Sequence, residues 1–415
     1  MSSIKDPVRQ STPLKRRWTA AVAVSAVLAL AGCEGGVAER EVAAPSAAAS
    51  DDTGLNFDVD ALTAAFETQA ADMHVPGAVM VIRTPAGEVE TAFGVTEWAG
   101  STPVTVDDHV RIGSNTKTWT GTVILQLVEE GAIALDDPVS LYRPDVPNGE
   151  NITIEQLLTM RSGLYNYTTT LELNTALDET PDRVWDPEEL VRMGLAGTPY
   201  FAPGEDYEYS NTNTILLGLI AEQLDGKPLG EIYEERLFAP LGLTQTSFPE
   251  LTDTAIPAPY PHGYMFSNNV DTIDGDWLSE DDLAAVATGE ILPTDHTGDN
   301  PSWAWSAGSG ISTAGEMATW VEALGGGGLL GDELQQSRLE SLEPNGQGGD
   351  YGWGIARMGT FYGHIGSLPG YNSFMGYDPD TDVTVVVWTT LAPAADGRPP
   401  AADIAHNLVE ILYGG

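Results

Sequence analysis

The chain has 415 residues, 61 of them acidic and 18 basic, for a formal charge of -43 and a pI near 4.1. That balance excludes nucleic acid as a partner, because a second polyanion is repelled, and it reads as a solvated acidic surface suited to high salt. The length allows two or three domains, the apolar fraction of 42% is ample for a large core, and a single cysteine leaves no disulfide within the chain.

Lys15, Arg16 and Arg17 precede an apolar run from Ala20 to Ala31, too short to span a bilayer and right for a signal peptide. The run ends Leu30-Ala31-Gly32-Cys33, which resembles a bacterial lipobox, and Cys33 would be lipidated and become the mature N-terminus. The alternative is a signal peptide with an incidental cysteine, and Arg16-Arg17 leaves a twin-arginine export route open. The expectation is that residues 1–33 are a lipoprotein signal peptide and lipobox, and that the exported protein is held at the outer face of the membrane by a lipid on Cys33. A flexible tether rich in Ala, Gly, Ser, Glu and Asp follows over 34–53, and one folded domain over 54–415.

Val59, Leu62, Phe66 and Met73 make one stripe of a helix that ends before Val75-Pro76. Ala78 to Arg83 and Glu88 to Val95 read as strands joined by the turn Thr84-Pro85-Ala86-Gly87. Trp119, Val123, Ile124, Leu127 and Val128 then recur at helical spacing, predicting a mostly buried helix from near Ser114 to Gly131. Thr153 and Gln156 form a capping box for a short helix through Arg161, and Asp186-Pro187 starts another. A polar, aromatic loop from Pro203 to Asn211 leads into a helix over Thr214 to Leu224, and Leu229 to Phe238 is a further helix.

Residues 250–302, rich in Pro, Gly and Asp, read as an irregular excursion. A helix follows from Ser312 to Leu324, ended by glycines 325–328, which read as a turn and not a phosphate loop because no strand and following lysine frame them. The period then changes: Tyr351 to Arg357, Phe361 to Ile365, Tyr371 to Tyr377 and Val383 to Trp388 read as strands, and Ala401 to Leu412 as a closing helix. Strands at both ends with helices between imply an α+β domain, its antiparallel sheet built from both chain ends and flanked by helices, with a mainly helical subdomain inserted.

Three short motifs stand along this frame: Ser114-x-x-Lys117 at a helix start, Tyr209-Ser210-Asn211 on a loop of the helical insert, and His364-Ile365-Gly366 on a late strand. Three residues apart on a helix, Ser114 and Lys117 share a face, and the sequence holds only four lysines, two of them ahead of the folded region. A serine hydroxyl is a poor nucleophile until a neighbour takes its proton. A neutral Lys117 amine or an ionised Tyr209 phenolate could do so; a close pair shares its protons, and neither alone is assigned as the base.

With these motifs in this order the chain resembles the serine penicillin-recognising family: class C β-lactamases, serine D-alanyl-D-alanine carboxypeptidases and related esterases. The flanks Met160-Arg161-Ser162-Gly163-Leu164, Leu241-Gly242-Leu243 and Ser302-Trp303 ahead of Ser306-Ala307-Gly308 agree, and the likeness runs from about residue 57 to 413. It is nearest the carboxypeptidases, through His-x-Gly where class C enzymes have Lys-Thr-Gly. The resemblance implies a β-lactamase/transpeptidase-like fold and an acyl-enzyme on Ser114. It also implies that Asn211 donates to the substrate amide carbonyl and helps hold Lys117, and that the N–H groups of Ser114 and Ser367, beside Gly366, form the oxyanion hole. His364 carries positive charge only below its ordinary pKa near 6.5 unless shifted.

Tyr209 and His364 also admit plain packing roles, and Trp303 and Trp305 read equally as site or core. The other histidines show no metal-ligand spacing, so no metal and no cofactor are expected. Where carboxypeptidases of this kind often carry a threonine this chain has Ile365, and Arg357, the nearest arginine for a substrate carboxylate, has an open register. The reading is a serine hydrolase cleaving D-alanyl-D-alanine ends of peptides, with peptidoglycan as a further partner. An esterase or weak β-lactamase on the same machinery is the alternative, and a non-catalytic surface binding or sensor module the rival from another class.

Overall fold

The computed structural model describes residues 55–414 except 276 and 347; Cys33, the signal peptide and the tether lie outside the described residues. Helix α1 (Val59–Asp72) starts on the Asp58 side chain, which accepts from Ala61 N–H, and buries Leu62, Phe66 and Ala70. Strands β1 (Gly77–Thr84) and β2 (Gly87–Gly94) form the expected hairpin. The sheet is completed by the far end of the chain: β3 (Glu343–Pro344), β4 (Asp350–Tyr351), β5 (Ala356–Met358), β6 (Phe361–Leu368), β7 (Tyr371–Asp378) and β8 (Val383–Thr389). All eight pair antiparallel in the order β2-β1-β8-β7-β6-β5-β4-β3. The chain ends meet where β1 runs beside β8, Ala78 opposite Thr389 and Arg83 opposite Thr384.

Each face of the sheet has its own core. One face packs Met80, Ile82, Val385 and Val387 against α1 and the closing helix, with Leu62, Phe66, Ile404 and Leu408. The other packs Val79, Val81, Met375 and Val386 against helix Ala314–Gly326, in one core with helix α2 (Thr116–Glu129) and the inserted helical region. Buried on both sides, β8 reads as one continuous apolar run. Helix α2 is covered nearly all round, with Trp119 edge-on to Tyr233, Phe238 and Trp320. A helix so enclosed cannot shift by a residue without breaking the core, so its first turn is fixed in space.

The capping box at Thr153 and Gln156 is present, although its helix stops at Leu158. Helix α3 (Asn211–Asp225) begins three residues earlier than expected. The strand expected over 351–357 is two short strands broken at Gly354, whose φ of 63° and close approach to Gly121 demand a residue without Cβ. Residues 250–302 are not wholly irregular: Asn268 and Ser279 cap helices Asn269–Asp274 and Glu280–Thr288, each closed by a left-handed glycine. Helices Leu171–Glu179 and Asp332–Glu340 were likewise not expected. The expected Ser312–Leu324 helix is Ala314–Gly326, and the closing helix, α4, is Pro400–Leu412.

Candidate active site

Ser114 sits in a single 3-10 turn, Gly113–Asn115, that leads directly into α2. The turn lies against β6 because two side chains are missing. A Cβ on Gly366 would come within 1.9 Å of Ile112 O, and one on Gly113, whose φ is 56°, within 2.5 Å of Ser367 N. Asn115 Nδ2 donates to Ile112 O at 3.1 Å and to Ser373 Oγ at 2.7 Å, and Ser373 Oγ donates to Ile112 O at 2.9 Å, tying the turn to the sheet. The β6–β7 hairpin closes through Leu368 opposite Tyr371. With ladder hydrogen bonds alternating from that pair, Ser367 N–H points away from β7, toward the edge that β5 leaves open beyond Gly363. The first-turn N–H of Ser114 also lacks a helical partner, so two donors converge beside the serine hydroxyl.

Lys117, one turn on, is almost fully buried; its Nζ lies 3.0 Å from Ser114 Oγ and 2.7 Å from Ala307 O. Among the described residues no carboxylate pairs with it, and loss of hydration holds its pKa well below the ordinary lysine value. The Lys117 Nζ is 4.9 Å from the centre of the Tyr209 ring, and Tyr209 lines the same groove as Ser114. Burial raises the Tyr209 pKa above its ordinary value, outweighing the opposing influence of Ser114. The phenolate considered from the sequence is therefore disfavoured, and burial favours the uncharged amine of Lys117 and the uncharged phenol of Tyr209 alike.

The Tyr209 ring meets Tyr351 edge-on and lies beside the His364 ring. His364 differs from expectation. Its Nδ1 is 2.6 Å from Ile365 O, which can only accept, so Nδ1 carries the hydrogen; Nε2, 3.2 Å from the Tyr351 hydroxyl, is then the acceptor. Burial, with any charge carried by Lys117 acting in the same direction, lowers the His364 pKa to about 3. This histidine is neutral near pH 7 and offers a substrate no cation. Tyr351, fully buried, was not singled out from the sequence; an aromatic residue in a short strand carries no signal of what lies across the sheet edge.

Asn211 lines the site but does not hold Lys117. Its Nδ2 donates to Thr168 Oγ1 at 3.0 Å and Asn166 Oδ1 at 3.3 Å, while its N–H donates to Asn166 Oδ1 at 3.0 Å. The backbone carbonyl of Ala307 takes the place the resemblance gave to Asn211. Arg357 also departs from expectation: it lines the groove beside Ser114, but its guanidinium is committed to Asp350 across the β4–β5 pair. Trp303 is half-buried and lines the site, its carbonyl accepting from Tyr167 Oη at 2.6 Å, whereas Trp305 belongs to the core. No cluster of three or more metal-ligating side chains occurs among the described residues.

Ser114 thus stands between two spaces. On the Asn211 side lies a cavity of about 370 Å³, walled by Tyr167, Asn174, Trp303 and, from the excursion, Asn269 and Thr272. On the Tyr209 side lies a groove of about 820 Å³ that follows the edge of β6 toward α4.

A serine–lysine–tyrosine cluster at the start of a buried helix, facing the open edge of an antiparallel sheet, is the arrangement of a serine hydrolase of the penicillin-binding and β-lactamase fold. The β-lactamase family model matches residues 62–409, and the chain belongs to that family. It is 25% identical to penicillin-binding protein 4* of Bacillus subtilis over 75% of this chain and 67% of that protein. A D-stereospecific amidohydrolase from Streptomyces sp. superposes with a TM-score of 0.71 at 30% identity, covering 86% of this chain and 98% of that one. D-amino acid amidase from Ochrobactrum anthropi SV3, complexed with L-phenylalanine amide, superposes with a TM-score of 0.69 at 25% identity, covering 85% and 97%. Protein flp of Staphylococcus aureus is 30% identical, but the match spans only 36% of its length.

Proposed function

We propose that this hydrolase acylates Ser114 and acts on uncharged amide or ester bonds of small D-configured acyl donors, rather than on D-alanyl-D-alanine ends bearing a free carboxylate. Lys117, as the neutral amine, takes the Ser114 proton while it stays bonded to Ala307 O. The N–H groups of Ser114 and Ser367 stabilise the oxyanion. Tyr209, a protonated phenol against Ser114, passes a proton to the leaving group and recovers it by way of Lys117; water then releases the acyl group along the same path in reverse. Because the leaving group must meet that proton, it departs on the Tyr209 side, and the acyl part lies on the Asn211 side.

The observation that carries the substrate class is the His364 ring, both of whose nitrogens are engaged within the protein. With Arg357 paired to Asp350 and burial disfavouring the Lys117 ammonium, the described lining beside Ser114 offers a substrate carboxylate no unpaired arginine and no charged His364. The D-configuration follows the two amidases named above. The deciding experiment compares kcat/KM for D-alanine amide and a D-alanine ester with that for a D-alanyl-D-alanine peptide: the neutral donors should be favoured by about 10-fold or more, the worth of one charge-assisted hydrogen bond. A preference for the peptide would restore the carboxypeptidase reading. Lipid anchoring at Cys33, which would put the domain beside peptidoglycan, belongs to the same proposal; Cys33→Ser should release the protein from the membrane fraction.

A further inference from the structure

The groove on the Tyr209 side is far larger than the departing ammonia of a simple amide needs. Phe361 and Phe374 line its inner part, Met358 and Ile365 its flanks, and Val409 and Tyr413 its outer end. Its arginine is already matched, Arg357 with Asp350, and the His406 ring lies 3.4 Å from Glu410. His364 and Ile365, on opposite faces of β6 by strand alternation, both line the groove, which therefore wraps the strand edge. The space is continuous with Ser114 and Ser367, and it lies on the side where the proton-donating phenol requires the leaving group to be.

We propose that this groove is a leaving-group subsite for an apolar alcohol or amine, so that preferred substrates are esters or amides whose departing part is an alkyl or aryl chain. The inference rests on the serine mechanism proposed above. In acylation the bond from the carbonyl carbon to Ser114 Oγ forms, the bond to the departing oxygen or nitrogen breaks, and the Ser114 proton ends on the departing atom. The same geometry run backward lets an apolar alcohol seated in the groove replace water, giving a new ester and free Ser114.

The test is a series of D-alanine esters, methyl through hexyl, hydrolysed by the full chain. Burying each methylene should raise kcat/KM by about 2- to 4-fold until the groove is filled, and Met358→Lys should flatten the slope. A flat or falling series in the unmodified protein, with the methyl ester still hydrolysed, overturns the subsite while leaving the serine mechanism standing. No hydrolysis of any member overturns both. Should Met358→Lys not fold, partition of the acyl-enzyme decides without a variant: hexanol should capture the acyl group more efficiently than methanol at equal concentration, and equal capture would refute the subsite.

Discussion

The cavity on the Asn211 side of Ser114 sets amides and hydroxyls held in a network of named partners among apolar residues such as Leu173, Leu177 and Met265, whereas the groove on the Tyr209 side is lined mainly by aromatic and aliphatic side chains, with its Arg357 already paired. Asn166 orders the first side by accepting from both Asn211 and Thr168. Tyr351 orders the second by filling the hydrogen-bonding capacity of His364. The polar side can read the shape and hydrogen bonds of an acyl group; the apolar side can select by area but not by charge. Both depend on one rigid element, the first turn of α2, which places the serine between them.

The largest effect should come from removing the boundary itself. Ser114→Ala should lower turnover of every substrate by about 10⁵- to 10⁶-fold and abolish covalent labelling by a penicillin or activated ester, with the melting temperature nearly unchanged. Persistent labelling would mean that another nucleophile serves the site.

Lys117→Ala and Tyr209→Phe should each cost about 10²- to 10⁴-fold, and the double variant should fall far short of the product because the two move one proton. The comparison of the two sides adds a sharper outcome. Since Tyr209 serves the leaving group, Tyr209→Phe should harm amides more than activated aryl esters, whose departing oxygen needs no proton. Equal losses on both would separate Tyr209 from the leaving-group side.

Ile365→Thr should shift the ratio of kcat/KM toward carboxylate-ended peptide over neutral ester by about 10- to 100-fold, the span of a charge-assisted hydrogen bond. In the unmodified protein this ratio should not vary with pH between 5 and 8 through His364, whose titration lies near 3. A clear step near pH 6.5 would show that the imidazole does charge beside the substrate.

The smallest effects concern stability and the acyl wall. His364 is buried neutral with its pKa lowered from 6.5 to about 3, so the unfolded chain binds more protons in between. Its stabilising contribution is therefore complete above pH 6.5 and is lost as pH falls toward 3. His364→Gln should flatten that part of the stability curve in urea titrations across pH. On the polar side, Asp178 accepts from Asn269 N–H, Asn269 Nδ2 and Val270 N–H, holding the excursion against the cavity. Asp178→Asn should raise KM for bulky acyl groups by about 2- to 10-fold, the worth of a helix cap, and leave the slope of the leaving-group series untouched.

The amino-acid sequence by itself determined the elements whose pattern is local or strongly periodic: the buried α2, the capping box at Thr153, the strands of both chain ends, and the serine and lysine one turn apart. Helices Asn269–Asp274 and Glu280–Thr288 were hidden because their apolar faces are slight and glycines and aspartates dominate around them, so periodicity was weak where capping signals alone were present. Only the tertiary structure decided the chemistry. That the uncharged amine of Lys117 is favoured follows from burial without a carboxylate contact, that His364 offers no cation follows from burial beside Tyr351 across the sheet edge, and that Arg357 is spent follows from the β4–β5 register. Protonation and free hydrogen-bonding capacity belong to a residue's surroundings and not to its type, and those surroundings come from parts of the chain that no local spacing connects.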